Sequence, residues 1–248
     1  MKEINDLHKE ILNKLDSYLH KNDYVKAEEY LLACLQDAVE SDDFKTEILL
    51  RNELMGLYRK VGKRDEALST VEAVLKKIRE KGVGKQVGSA TTYLNSATVY
   101  KTFGMAEKSI LLFETAKEIY EKSLKPDDER LGGLYNNMAL TLVDLKRFSE
   151  AKILNEKAVK VMKNKPLEIA ITYLNMANAV EMEQGILEAH NEIQMHLEKA
   201  KALLEEYENR DGYYAFVCEK CASVFGYFGD FLYDEELRNR ARSIYERS

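Results

Sequence analysis

The sequence predicts an all-α solenoid of about six helical hairpins, and three observations carry that prediction. Small residues recur at nearly constant intervals: Ala116, Ala158 and Ala200 are 42 residues apart, Ala241 follows after 41, and Val74 and Cys34 extend the series backward by 42 and 40. A parallel series, Ala27, Ala67, Ser109 and Ala151, keeps intervals of 40, 42 and 42. Periods of this size mark stacked supersecondary units, each burying its apolar face on the next. The chain also has only 2 prolines in 248 residues and no alternating Val/Ile/Thr-rich run, which argues against strands.

The hairpins are expected near residues 3–41, 44–81, 86–123, 128–164, 167–209 and 212–247, as a single array over 1–248. The second hairpin shows the pattern most clearly. Its helices are expected at Glu47–Val61 and Arg64–Glu80, with Gly62 at the turn where a helix ends and a positive φ is wanted. Gly104 repeats that role 42 residues later. Breakers separate successive hairpins: Gly82-Val83-Gly84, Pro126, Pro166 and Asp211-Gly212. Ser41-Asp42-Asp43 and Asp127-Asp128 supply side chains suited to capping the helices that follow. The fifth hairpin is longer, which predicts about one extra helical turn around Glu188–Gln194.

Composition narrows the function classes. Apolar residues make up 45% and charged residues 32%, enough to build a core and keep it soluble. A net charge of −6, with no cluster of five or more Lys/Arg, argues against nucleic acid and anionic membranes as partners. No run of 18 apolar residues exists to span a bilayer, and the polar N-terminus lacks a secretory core. Three cysteines fit a reducing compartment, so the expected location is the cytoplasm.

Within this frame the repeats resemble tetratricopeptide repeats. The third unit carries Tyr93, Ser96, Ala97 and Tyr100, then Gly104, Ser109, Phe113 and Ala116; the fourth carries Tyr135, Met138, Ala139 and Leu142, then Ala151 and Ala158. The second supplies Leu54, Tyr58, Gly62 and Ala67, and the fifth Tyr173, Met176, Ala177, Val180, Ala189 and Ala200. The first is a weaker match through Tyr18, Ala27 and Cys34, and the sixth, through Cys221, Ala222, Phe225 and Ala241, reads as a closing pair. The repeat is about 42 residues rather than the roughly 34 of the common form. That length is similar to the arrays of kinesin light chains and of bacterial receptors for signalling peptides. The resemblance implies a right-handed superhelix whose first helices line a concave groove.

A row of asparagines falls on that expected groove wall. Asn13, Asn95, Asn137 and Asn175 each stand two residues before the small residue of a first helix, while Glu53 and Lys220 hold the place in the second and sixth units. Residues four before, three after and seven after share a helical face with each. Thr91 and Thr98 therefore flank Asn95, Leu140 flanks Asn137, and Ile171, Asn178 and Met182 flank Asn175; Asn136 stands beside the row. An amide both donates and accepts, which suits the main chain of an extended peptide. The resemblance implies such a clamp. The alternative is that these amides bond neighbouring helices and set the pitch of the stack.

Other constellations read as packing. Cys218-Glu219-Lys220-Cys221 has C-x-x-C spacing, but Cys218 and Cys221 align with the core positions of Tyr135 and Met138, and Cys34 with alanines. His190 and His196, six apart, fall on different helical faces and complete no zinc set. No phosphate loop, nucleophile elbow or H-E-x-x-H occurs. No catalytic residue, metal or cofactor is expected, and the chain is not expected to be an enzyme. The aromatic cluster Tyr213-Tyr214-Phe216, Phe225, Tyr227, Phe228, Phe231 and Tyr233 reads as the core of a closing hairpin or as an interface. The function expected is a scaffold that binds a protein or an extended peptide. A regulator responding to a signal peptide, or a homodimer formed through the C-terminal hairpin, are the alternatives.

Overall fold

A computed structural model describes the backbone of residues 2–247 and the side chains of residues 6–247. Among the described residues there are twelve α-helices and no strand, arranged in two compact units. The first unit holds α1 (Lys2–Leu19), α2 (Tyr24–Glu40), α3 (Phe44–Val61), α4 (Arg64–Glu80), α5 (Val87–Thr102) and α6 (Ala106–Ser123). The second holds α7 (Glu129–Asp144), α8 (Phe148–Val161), α9 (Pro166–Gln184), α10 (His190–Glu205), α11 (Gly212–Tyr227) and α12 (Phe231–Tyr245).

Short-range chemistry sets the helix ends. Asp23, Asp43, Asp128, Asp211 and Asp230 each accept a backbone N–H of the first turn that follows, satisfying a donor the helix itself leaves open. The turn inside every hairpin holds one residue in the left-handed region: Asn22, Gly62, Gly104, Lys146, Gly185 and Gly229. Pro166, expected as a breaker before the fifth hairpin, is instead the first residue of α9, where its missing N–H costs nothing. The extra length of that hairpin is also not an added turn at Glu188–Gln194. It lies in the 19-residue α9 and in the Gly185–Ala189 connection, because Gly185 (φ 86°) ends α9 and α10 starts only at His190.

Within each unit the two helices of a hairpin pack on each other and first helices pack on first helices, α3 on α5 and α9 on both α7 and α11. The small residues sit at these crossings. Ala97, Ala139, Ala177 and Ala222 on first helices, and Ala116, Ala158, Ala200 and Ala241 on second helices, are all buried. A larger side chain there would hold the backbones apart. Ser109, in the alanine series, donates to the Ala97 carbonyl at 2.8 Å and so ties α6 to α5 while keeping its volume small. The first unit buries Leu31, Leu50, Leu54 and Tyr58 around Ala27 and Ala67; the second buries Leu174, Ile193, Tyr214 and Phe225 around Ala177, Ala200 and Ala222.

Candidate functional site

The asparagine row divides by what each amide already holds. In the first unit Asn95 donates to the side-chain Oδ1 of Asn52 across from α5 to α3 at 3.0 Å, and the Asn52 amide donates back to the Thr92 hydroxyl at 3.1 Å. Thr91 shares a hydrogen bond with the Tyr120 hydroxyl at 2.7 Å, and Thr98 turns its hydroxyl onto the Leu94 carbonyl. Asn95, Asn52, Thr92 and Thr91 thus tie α5 to α3 and α6, while Thr98 bonds within its own helix. Asn52 escaped the sequence reading because it stands one residue off the repeat register, where Glu53 holds the aligned place.

In the second unit Asn136 is buried and exchanges two hydrogen bonds with Thr172, tying α7 to α9. Its neighbour Asn137 spends its N–H on the Gly133 carbonyl one turn back, at 2.9 Å, which leaves the amide oxygen open. Asn175 and Asn178 are half-buried, and among the described residues neither side chain makes a hydrogen bond. Leu140 is half-buried beside Asn137, Ile171 is buried in the core of α9, and Met182 is 55% exposed. The second unit therefore gathers Asn137, Leu140, Asn175, Asn178 and Met182 on α7 and α9, while Asn95, Thr91 and Thr98 belong to the first unit.

The C-terminal aromatic cluster separates into two faces of the last hairpin. Tyr214, Phe225 and Tyr233 are buried, with the Phe225 and Tyr233 rings edge to face at 4.8 Å. Tyr213, Phe216 and Tyr227 are exposed along one side of α11 at helical spacing. The Tyr213 hydroxyl donates to Glu168 and that of Tyr227 to Glu181 at 3.4 Å, so α11 lies beside α9 with an offset of 45 or 46 residues. In that register Phe216 stands opposite Ile171, Lys220 opposite Asn175 and Ser223 opposite Asn178.

The cysteines pack as their alignment predicts. Cys218 and Cys221 are buried, and burial pushes their thiols up to about 11 and about 12, so they stay protonated at neutral pH. Cys34 is half-buried against the core of the first unit. Among the described residues no three His, Cys, Asp or Glu side chains gather as a metal site, and no helix is long and apolar enough to cross a membrane.

The two histidines part as their spacing implies, with His190 exposed and His196 buried. The His196 ring stacks on Tyr173 at 5.9 Å, and neither ring nitrogen has a hydrogen-bond partner among the described residues. Desolvation lowers its pKa below the ordinary 6.5, with Lys199 and Lys152 adding to the shift and Glu192, at 3.9 Å, opposing it. Folding thus favours the neutral ring. Its contribution is whole above the unfolded value near 6.5 and is lost as pH falls from there toward the folded value. Urea midpoints between about pH 7.5 and about pH 5 are expected to fall in the wild type relative to His196→Phe, by at most about 1.4 kcal/mol per pH unit. Equal slopes in the two proteins would contradict this.

Helical hairpins repeated at a period near 42 residues and crossing on alanine define a helical-repeat protein. Residues 88–164, spanning α5 to α8, match the family model described as tetratricopeptide repeat. The fold of the chain is that of tetratricopeptide-repeat structures. A search of curated proteins returns no match. Among solved structures it is similar to BtubC (BKLC) from P. vanneervenii, with 20% identity, coverage of 81% of this chain and 82% of that one, and a TM-score of 0.67. It is also similar to a kinesin light chain of nearly identical TPR-like repeats from Podosopora anserina, with 17% identity, 78% and 92% coverage and a TM-score of 0.55. A Rap protein complexed with Competence and Sporulation Factor gives 13% identity, a TM-score of 0.65 and coverage of 98% of this chain, which spans 64% of that protein's length.

Proposed function

We propose that this chain is a non-catalytic, cytoplasmic scaffold that binds a protein or an extended peptide, and that the first helices of its second unit, α7, α9 and α11, form the binding wall. The unpartnered amides of Asn175 and Asn178 carry this reading. Asparagine is a mediocre helix former, and a half-buried amide that bonds nothing in its own protein gains only what water reaches it. A peptide main chain supplies the missing donor and acceptor at regular intervals. Asn137 adds one open acceptor, and Leu140 and Met182 offer apolar contact on either side. Asn95 and Asn136, already bonded to neighbouring helices, have the scaffolding role, and Thr91, bonded to Tyr120 of α6, goes with them. The likeness to a fold that holds Competence and Sporulation Factor supports a ligand-taking role, and three free thiols suit a reducing compartment.

The test is Asn175→Ala combined with Asn178→Ala. Peptides selected from a random twelve-residue library by the wild type are expected to bind the double variant at least tenfold more weakly, equivalent to about 1.4 kcal/mol. Its circular dichroism should be unchanged. Undiminished binding by a folded double variant places the site elsewhere.

A further inference from the structure

We infer that the peptide taken by this wall is basic, with two cationic side chains about six residues apart; this rests on the binding wall proposed above and names its substrate class. The two ends of the α9–α11 strip have the same chemistry. At one end the Glu168 carboxylate meets the Tyr213 hydroxyl, and the Tyr213 and Phe216 rings stand 6.3 Å apart at 26°. At the other the Glu181 carboxylate meets Tyr227, whose ring packs edge to face on Phe228 at 5.0 Å. Neither carboxylate forms an ion pair with a cation of this chain among the described residues. Each keeps an oxygen that the tyrosine does not use.

A carboxylate beside exposed aromatic rings attracts an ammonium or guanidinium, through charge-assisted hydrogen bonding and through the ring quadrupole together. Tyr213, Phe216 and Tyr227 are 45%, 51% and 62% exposed, so their faces are open to such a group. A second copy of the chain is disfavoured as occupant, because each copy carries a net charge of −6. Glu168 and Glu181 are 13 residues apart on one helix, or about 20 Å at 1.5 Å per residue. An extended peptide covers that distance in about six residues. Lys220 stands between the two corners, opposite Asn175, and makes the centre hostile to a third cation.

Fluorescence anisotropy with the full-length protein tests this. The probe is a labelled peptide with two arginines six residues apart and neutral residues between them. The wild type is expected to bind it at least tenfold more tightly than the same peptide with glutamates in place of the arginines, or with the arginines three apart. Glu168→Gln combined with Glu181→Gln should remove that preference while leaving helicity unchanged. Failure of the wild type to prefer the six-spaced basic peptide overturns the inference, and so does a preference that survives in the glutamine variant. The asparagine variant read against the random library judges the wall itself, so a failed charge preference and a failed wall give different patterns.

Discussion

Replacing Phe225 by alanine is expected to remove about 3–5 kcal/mol from the stability of the second unit. The side chain is 1% exposed, packs edge to face on Tyr233, and shares its core with Cys221, Ala222, Leu237 and Ala241. Deleting the ring forfeits its transfer free energy and leaves a cavity that two helices already in close contact cannot collapse to fill. The last hairpin meets the fifth through α9 and through ion pairs of Arg240 with Glu205 and of Asp230 with Lys201 on α10, but these polar ties do not replace the apolar contacts that the ring makes. Phe216, nine residues earlier on the same helix and 51% exposed, is the matched control; its alanine variant should stay within about 0.5 kcal/mol of wild type. Urea unfolding followed by circular dichroism measures both. A loss below about 1 kcal/mol for Phe225→Ala would mean that the edge-to-face core is not a packed unit.

The architecture was legible in the sequence because a helical crossing tolerates only a small side chain, and small side chains are visible. Ala97, Ala139, Ala177 and Ala222 announce the crossings directly. Turn positions were legible only where glycine fills them. Gly62 and Gly104 mark two turns, and the same interval of 42 leads to Lys146, which has φ 59°. A lysine gives no hint of a left-handed residue, and Asn22 (φ 53°) gives only a faint one. The fifth hairpin departs from its expected form for a related reason. Length alone cannot say whether extra residues extend a helix or a connection, and here they do both, in the 19-residue α9 and in the connection that Gly185 opens.

The candidate site was legible in its positions and not in its bonding. Asn136 and Asn137 are adjacent, yet one is sealed against Thr172 and the other keeps an open oxygen. A rotation of about 100° per residue separates those fates, and which side faces α9 depends on how helices far apart in sequence come together. Asn95 looks identical to Asn175 in the repeat, but Asn52 occupies it, and nothing in the third hairpin foretells a partner in the second. The exposed strip Tyr213, Phe216, Tyr227 was hidden inside a dense aromatic run. Its helical spacing was the available clue, obscured by Tyr214 and Phe225 on the opposite face.

Replacing Arg51 and Lys77 together by methionine is expected to destabilise the first unit by about 3–5 kcal/mol. Both cations converge on Glu47, a carboxylate only 2% exposed in the first turn of α3. Arg51 donates through Nε at 2.9 Å and holds Nη2 2.8 Å from the same Oε1, while Lys77, from the last turn of α4, places its ammonium 3.0 Å from Oε2. The N-terminal end of α3 favours a negative charge there, but the helix end alone contributes no more than about 1–2 kcal/mol. With both cations gone the carboxylate is buried without a counter-charge, which costs far more than the pair's own net contribution. Removing the charge as well reverses the sign of the problem. The triple variant, with Glu47→Met added, should recover to within about 1 kcal/mol of wild type, since apolar side chains of similar volume replace the buried ions. Urea midpoints of the wild type, the double and the triple variant decide it. A double variant as stable as wild type would show that water reaches Glu47, and a triple variant no better than the double would assign the loss to packing rather than to charge.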